Sequence, residues 1–398
     1  MADPHGNTAL HSPFPVEEYR QRMTRTRRAM AEKDIAVLIA TDPANINYLT
    51  GYDGYSFYVH QAVVVVRDWE WPLWIGRAQD VNGAAFTSIL PAGHLVGYPD
   101  EFVHAVDRHP MAFICAQLRD RGLDHGPVGV DADSFYFTGK SLDVLRSGIR
   151  GRVVDVGLLL NWIRSVKSPR EIQYIEQAAT ISANTMRRAL DMIEPGVRQC
   201  DVAAEILKTQ VSGTIEFGGD YPAIMPLMPT GPTTTCPHVT WRDTPFQAGT
   251  ASVVEISGVR HHYHAPLTRT LFLGTPPDEM IRAADVIVQG IDQALAAATP
   301  GARARDIHAA WNDVITRHGL YKDSRCGYSI GLGYPPDWGE RTISLRASDD
   351  TVLLPGMTLH FMPGIWMADW GISISETILI TADGARALCD FPRSLFLR

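Results

Sequence analysis

Ser252-Val253-Val254-Glu255-Ile256-Ser257-Gly258, followed after a short polar turn by Tyr263-His264-Ala265-Pro266-Leu267-Thr268-Arg269-Thr270-Leu271-Phe272, is the stretch on which the fold of this chain turns. Two apolar, alternating runs joined over Gly258 to His262 describe a buried β-hairpin. Glu255 lies inside the first strand, where a carboxylate is costly to bury unless it has a partner or a chemical task. Any function assigned to the chain must account for that acid.

The sequence on either side of the hairpin repeats itself. Ser168-Pro169-Arg170-Glu171 opens a long helical pattern that ends at Glu194-Pro195-Gly196-Val197-Arg198, and Asp201 to Ile206 starts the next. Beyond the hairpin, Thr275-Pro276-Pro277-Asp278-Glu279 opens a helix ending at Thr299-Pro300-Gly301-Ala302-Arg303, and Asp306 to Trp311 starts its partner. Proline near a helix start and Pro-Gly after its end are the expected punctuation. Two helix–helix–strand units in tandem predict an α+β domain with a pseudo-two-fold internal repeat, its sheet wrapped by helices. A site at the centre of that sheet would draw residues from both halves.

The first part of the chain has a different texture. Pro15 to Lys33 has helical spacing, with Tyr19, Met23, Ala29 and Met30 on an apolar stripe. Ala36 to Ala40 is a fully apolar strand, followed by a turn at Asp42-Pro43 and an aromatic, loop-rich segment from Asn45 to His60. Strands are expected at Gln61 to Val66, Trp71 to Gly76 and Gly129 to Asp131, with a helix from Pro110 to Arg121. Strands alternating with helices predict an α/β domain with a mixed sheet. Val153 to Arg164 reads as a strand and connector, which sets the domains at 1–160 and 161–398.

Composition narrows the function. A net charge of −8 gives no basic footprint for nucleic acid. No apolar run approaches the roughly 20 residues of a membrane span, and the polar stretch Met1 to Pro15 lacks the architecture of a secretion signal. The five cysteines include no Cys-x-x-Cys pair, so reduced thiols and a cytoplasmic protein are expected.

Several short pieces, weak singly, occur here in a telling order. They are Asn47-Tyr48-Leu49-Thr50-Gly51, Lys167 to Ile172, Pro237-His238, the Glu255 hairpin, Gly327-Tyr328-Ser329-Ile330-Gly331, Met362-Pro363-Gly364 and Glu376 to Thr381. With them the chain resembles, over essentially its whole length, the pita-bread family of creatinase, prolidase and Xaa-Pro aminopeptidases. That likeness implies a creatinase-type N-terminal domain, a pita-bread catalytic domain and a homodimer.

The departures from the family are as informative as the matches. Metal-dependent members hold two divalent ions with two aspartates, a histidine and two glutamates. The first aspartate position is Glu255 here, the second is Pro266, the histidine is Tyr328, and the glutamate before Pro-Gly is Met362. The last glutamate falls on Ser375 without a gap or on Glu376 with one. Two ions need bridging carboxylates and several further ligands, so a metal-independent enzyme with no cofactor is expected. In creatinase, itself metal-free, the histidine matching His238 is the proton shuttle.

A substrate whose electrophilic carbon already carries positive charge needs no metal to polarise it. Glu255 could then pair with the cation and act as nucleophile or as base for water, while His238 protonates the departing nitrogen. Leu49 to Gln61, Phe217 to Ile224, and Gly327 to Leu332 running into Tyr334 to Glu340 resemble the ectoine hydrolase subgroup of this family. The likeness implies ring opening of ectoine, and of 5-hydroxyectoine if accepted, to an N-acetylated 2,4-diaminobutyrate, with a deacetylase as downstream partner. Phe57, Tyr58, Tyr328, Tyr334, Trp338, His360, Glu376 and His264 are the candidate substrate contacts, since aromatic rings suit a small delocalised cation. The competing expectations are a creatinase-like amidinohydrolase, a metal-dependent Xaa-Pro peptidase and an inert pita-bread binding module.

Overall fold

The structure, a computed structural model, describes residues 12–398, so the polar N-terminal stretch lies outside the described residues up to His11. The chain divides into two compact units between Arg164 and Ser165. The first contains, in chain order, α1 (Val16–Glu32), β1 (Val37–Ala40), α2 (Pro43–Thr50), β2 (Ala62–Val66), β3 (Leu73–Arg77), α3 (Val81–Thr87), β4 (Leu95–Tyr98), α4 (Pro110–Asp120), β5 (Val128–Val130), α5 (Gly139–Gly148), β6 (Val153–Asp155) and α6 (Leu159–Ile163). Its sheet has the order β4-β3-β2-β1-β5-β6. β2 runs antiparallel to both β1 and β3, and the pairs β3–β4, β1–β5 and β5–β6 are parallel. The mixed sheet is as the sequence suggests, because β1 and β2 are apolar throughout and both are buried along their whole length.

One element of this unit differs from expectation. Asp42-Pro43 reads as a turn and Asn45 as the start of a loop, yet α2 begins there. The Asp42 carboxylate accepts the Ala44 N–H at 2.8 Å, and Pro43 sits in the first turn. Gly51, at φ 77°, closes the helix in a conformation that favours glycine. Asp-Pro is a helix N-terminus signal as well as a turn signal. Here the burial of every residue of α2 decides between them.

The second unit contains α7 (Pro169–Met192), α8 (Gln199–Ser212), β7 (Ala251–Arg260), β8 (Tyr263–Phe272), α9 (Asp278–Ala297), α10 (Ala304–Arg317), β9 (Gly327–Tyr334), β10 (Asp337–Ser344), β11 (Thr358–Phe361), β12 (Gly364–Trp366), β13 (Gly371–Ser373), β14 (Glu376–Thr381), β15 (Gly384–Ala387) and β16 (Phe396–Leu397). Ser168 opens α7 with a full capping box, exchanging hydrogen bonds with Glu171. The other Glu171 oxygen accepts the buried Tyr263 hydroxyl at 2.7 Å, which ties this helix start to the hairpin.

The internal repeat extends to individual hydrogen bonds. Gly196 and Gly301, the two Pro-Gly positions, lie at φ 93° and 88°. The Gly196 N–H donates to Phe246 O, and Phe246 N–H donates back to Val197 O. Gly301 and Leu353 repeat that exchange through Ala302 O.

The main sheet runs β15-β14-β11-β9-β8-β16, with β7 on β8 and β10 on β9. One face carries the helices. Gly258 lies so close to α7 that an added Cβ would stand 2.1 Å from Ala178 O. On the same face Leu359 and Phe361 of β11 join the apolar core built with α9 and α10, Trp311 meeting Phe361 edge-on at 6.2 Å. Side chains alternate along a strand, so Glu255 and His360 face the other way.

Candidate active site

β7 is a central strand at Glu255. On one side Glu255 pairs with Thr268 of β8. On the other it exchanges two backbone hydrogen bonds with Leu227, at 2.9 and 3.0 Å. Leu227 is held in turn by the preceding stretch, where Ala223 N–H donates to His264 Nε2 at 3.0 Å. Because directly opposed residues of an antiparallel pair share a face, Pro266, Thr268 and Thr270 lie on the face that presents Glu255.

Glu255 is only 7% exposed, and burial pushes its carboxyl up to about 7, against a smaller opposing effect from Thr268 and the positive charge of Lys322. An acid so placed exchanges a proton near neutrality.

A second group on this face comes from the other half of the repeat. Tyr328 of β9 opposes His360 of β11, and His360 opposes Thr377 of β14. Tyr328 Oη accepts the Trp338 indole N–H at 2.8 Å and lies 3.0 Å from His360 Nδ1. His360 Nε2 is 2.8 Å from Ser375 Oγ, which accepts the Thr268 N–H at 2.8 Å. The chain Trp338–Tyr328–His360–Ser375–Thr268 therefore links the two halves and ends on the residue opposite Glu255. Burial pushes the His360 imidazole down to about 3 and the Tyr328 phenol well above its usual range, so both stay neutral.

The register separates Ser375 from Glu376. Ser375 shares the face of His360, whereas Glu376 opposes Phe361 and turns toward the helices. There Glu376 Oε1 receives Arg269 Nη2 at 2.7 Å and Arg393 Nε at 3.2 Å. Glu376, expected among the substrate contacts, instead closes a buried ion pair, and Arg269 braces it. His264 is corrected in the same way. It lies on the Glu255 face, but Nδ1 donates to His262 O at 2.8 Å and Nε2 accepts from Ala223, leaving neither nitrogen for a substrate.

The remaining expected residues are placed as follows. Tyr334 is buried and stacks on His262 with ring centroids 4.2 Å apart. Trp338 is fully buried, and its N–H is spent on Tyr328. Met362 packs with Tyr328, Ile330, Trp338 and Ala223 in a small apolar cluster. His238 is exposed in the turn after Gly231–Thr235. Its neighbour Val239 accepts the N–H of Met228, next in chain to Leu227. Phe57 and Tyr58 belong to the first unit, where with Phe135, Tyr136, His60 and Gln61 they line a cleft of about 180 Å³.

Sequence reasoning missed Lys322. It is 7% exposed, its ammonium stands 4.1 Å from the centroid of the Trp366 indole, and burial pushes it down to about 8. The available signal was slight: lysine is rare in this chain, five among 36 basic residues, and two of the five, Lys167 and Lys322, are buried.

Residues 173–382 match metallopeptidase family M24, and residues 22–166 match the creatinase/prolidase N-terminal domain. The chain belongs to family M24. Among its M24 relatives, the ectoine hydrolase of Halomonas elongata is 46% identical over 394 residues, covering 97% of this chain and 98% of that protein. The Xaa-Pro dipeptidase of Pyrococcus furiosus is 27% identical over 58% of this chain and 65% of its own length. Of solved structures, dipeptidase PepE from Mycobacterium ulcerans superposes with a TM-score of 0.81 at 22% identity, over 96% of this chain and 99% of that one. The prolidase from Pyrococcus horikoshii gives 0.79 at 20% identity, over 94% and 99%. The fold is thus a creatinase-type N-terminal domain followed by a pita-bread domain.

The family's name implies metal ions, but the donors present do not fit a metal pair. On the Glu255 face stand a proline, a threonine, a tyrosine committed to an indole N–H and an imidazole, and a serine. Among the described residues no three His, Cys, Asp or Glu side chains gather as a metal-binding group.

Proposed function

We propose that the chain opens the ring of ectoine, a cyclic amidine, to N-acetyl-L-2,4-diaminobutyrate without a metal ion, with Glu255 as the reacting carboxylate and His238 as the proton shuttle. The observation that carries this is the relative named ectoine hydrolase, similar over nearly the full length of both chains. The Glu255 face supports it: one buried acid and, among the described residues, no cluster of three His, Cys, Asp or Glu side chains to hold a dication.

The chemistry follows from the charge of the substrate. An amidinium spreads its positive charge over carbon and two nitrogens, so the carbon is already electrophilic and the cation is drawn to the ionised Glu255. As base, Glu255 takes a proton from water, hydroxide adds to the amidine carbon, and one C–N bond breaks as His238 protonates the departing nitrogen. The proton held by Glu255 then restores His238. As nucleophile, Glu255 adds to the same carbon first and water releases it later, with the same balance of one C–N bond broken and one carbonyl formed. The buried Tyr328–His360–Ser375 chain keeps the opposing strands rigid while charge moves.

The same reading extends to 5-hydroxyectoine as a second substrate, a cytoplasmic homodimer, and a deacetylase that takes the product. No helix among the described residues is long and apolar enough to cross a membrane. Parallel incubations with ectoine, creatine and an Xaa-Pro dipeptide, with products identified by mass spectrometry, test the assignment. The N-acetylated diamino acid should form from ectoine, and Glu255→Gln should abolish it. Turnover of creatine or the dipeptide with ectoine left intact would refute it.

A further inference from the structure

Lys322 is a buried charge with nothing to bond. Among the described residues its ammonium has no hydrogen-bond partner. A desolvated ammonium left so is unfavourable even beside an indole face. Removing a methylene-rich lysine from this position would relieve that cost, so its presence calls for a partner that arrives later. Glu255 is close enough for each charge to bias the other, yet the two do not form an ion pair in this structure. A buried acid on β7 and a buried ammonium in the segment before β9, each felt by the other but not bonded to it, match a molecule that carries both signs.

We propose that Lys322 anchors the carboxylate of a zwitterionic amidine whose cationic end meets Glu255, which makes Lys322 a specificity-determining residue of this site. The proposal rests on the ring-opening function proposed above. In ectoine the carboxylate sits on the carbon bonded to one amidine nitrogen, so its two charges are a few bonds apart and fixed by the ring. Trp366, beneath the ammonium at 4.1 Å, holds the lysine in place without consuming its N–H groups. A carboxylate accepting from that ammonium makes a charge-assisted hydrogen bond in a water-poor setting. The same contact orients the amidine carbon relative to Glu255, and it rejects amidines that lack the acid.

The test compares ectoine with 2-methyl-1,4,5,6-tetrahydropyrimidine, the same ring without its carboxylate, in wild type, Lys322→Met and Lys322→Arg. Where the second compound is not turned over, its inhibition constant against ectoine replaces kcat/KM. Lys322→Met should lose roughly 10- to 100-fold in kcat/KM on ectoine, chiefly through KM, as expected for a lost hydrogen bond to a charged group. It should change by less than about threefold toward the carboxylate-free ring, because that ligand never used the contact. Lys322→Arg should recover part of the loss, and the melting midpoint of Lys322→Met should equal or exceed that of wild type. Should Lys322→Met fail to fold, Lys322→Gln carries the same comparison. Equal losses on both compounds in a folded variant, with wild type active on ectoine, overturn the anchor and leave the ring-opening function standing. A wild type inert toward ectoine overturns both.

Discussion

Glu255→Gln should abolish turnover and yet make the protein more stable at alkaline pH. Burial raises the carboxyl from 4.5 to about 7. A carboxyl raised in the folded state contributes stability that is complete below its unfolded value and is lost as pH climbs through the folded one. The difference is about 2.5 units, and at about 1.4 kcal/mol per unit the ionised acid costs the native state about 3 kcal/mol at pH 8. The same linkage leaves less than about 1 kcal/mol at pH 5, where the folded carboxyl is protonated and only the unfolded chain ionises appreciably. Glutamine has the shape of the neutral acid and never ionises. Thermal melts of the two proteins at pH 8 and pH 5 measure the effect: the variant's midpoint should be higher at pH 8, and the gap should shrink as pH falls. A variant less stable than wild type at pH 8 would refute the reasoning, since Glu255 would then be a net-stabilising partner of Lys322 rather than a desolvated acid.

Other perturbations separate scaffold from chemistry. Arg269→Met strands the buried Glu376 with only Arg393, and should destabilise by about 3–5 kcal/mol in urea unfolding; adding Glu376→Met should recover much of it. Tyr328→Phe removes the oxygen that joins the Trp338 N–H to His360, leaving two buried polar groups without partners at a cost of about 1–3 kcal/mol, read as a lower unfolding midpoint. His238→Asn, at an exposed turn, should leave the melting curve unchanged while kcat falls by roughly 10²- to 10⁴-fold, the range for loss of a general acid–base group.

Residues that signal through pattern were legible in the sequence, and those that signal through environment were not. The hairpin, the repeat and both Pro-Gly helix ends follow from apolar alternation and from backbone rules, and Gly196 and Gly301 show them hydrogen bond for hydrogen bond. The α2 helix was not legible, because Asp42-Pro43 serves a turn and a helix start equally and only tertiary burial chooses. The choice between Ser375 and Glu376 was also beyond sequence. Adjacent strand residues point to opposite faces, so the answer depended on β14 pairing with β11 in a definite register. His264 reads as a substrate contact on the same strand pair until the Ala223 N–H is seen to claim it. Lys322 lies outside every motif, and its meaning comes entirely from being buried beside Trp366 and near Glu255.

Metal dependence most sharply divides the proposed ring opening by Glu255 from the activity for which the Xaa-Pro dipeptidase relative is named. Purified protein should be stripped with a chelator, shown metal-free by elemental analysis, and incubated with ectoine while the N-acetylated diamino acid is followed by mass spectrometry. The stripped wild type should form product at the rate of untreated enzyme, and Glu255→Gln should form none. Product that appears only after a divalent cation is restored, or turnover that survives in Glu255→Gln, would contradict the assignment of Glu255 as the reacting group of a metal-free site.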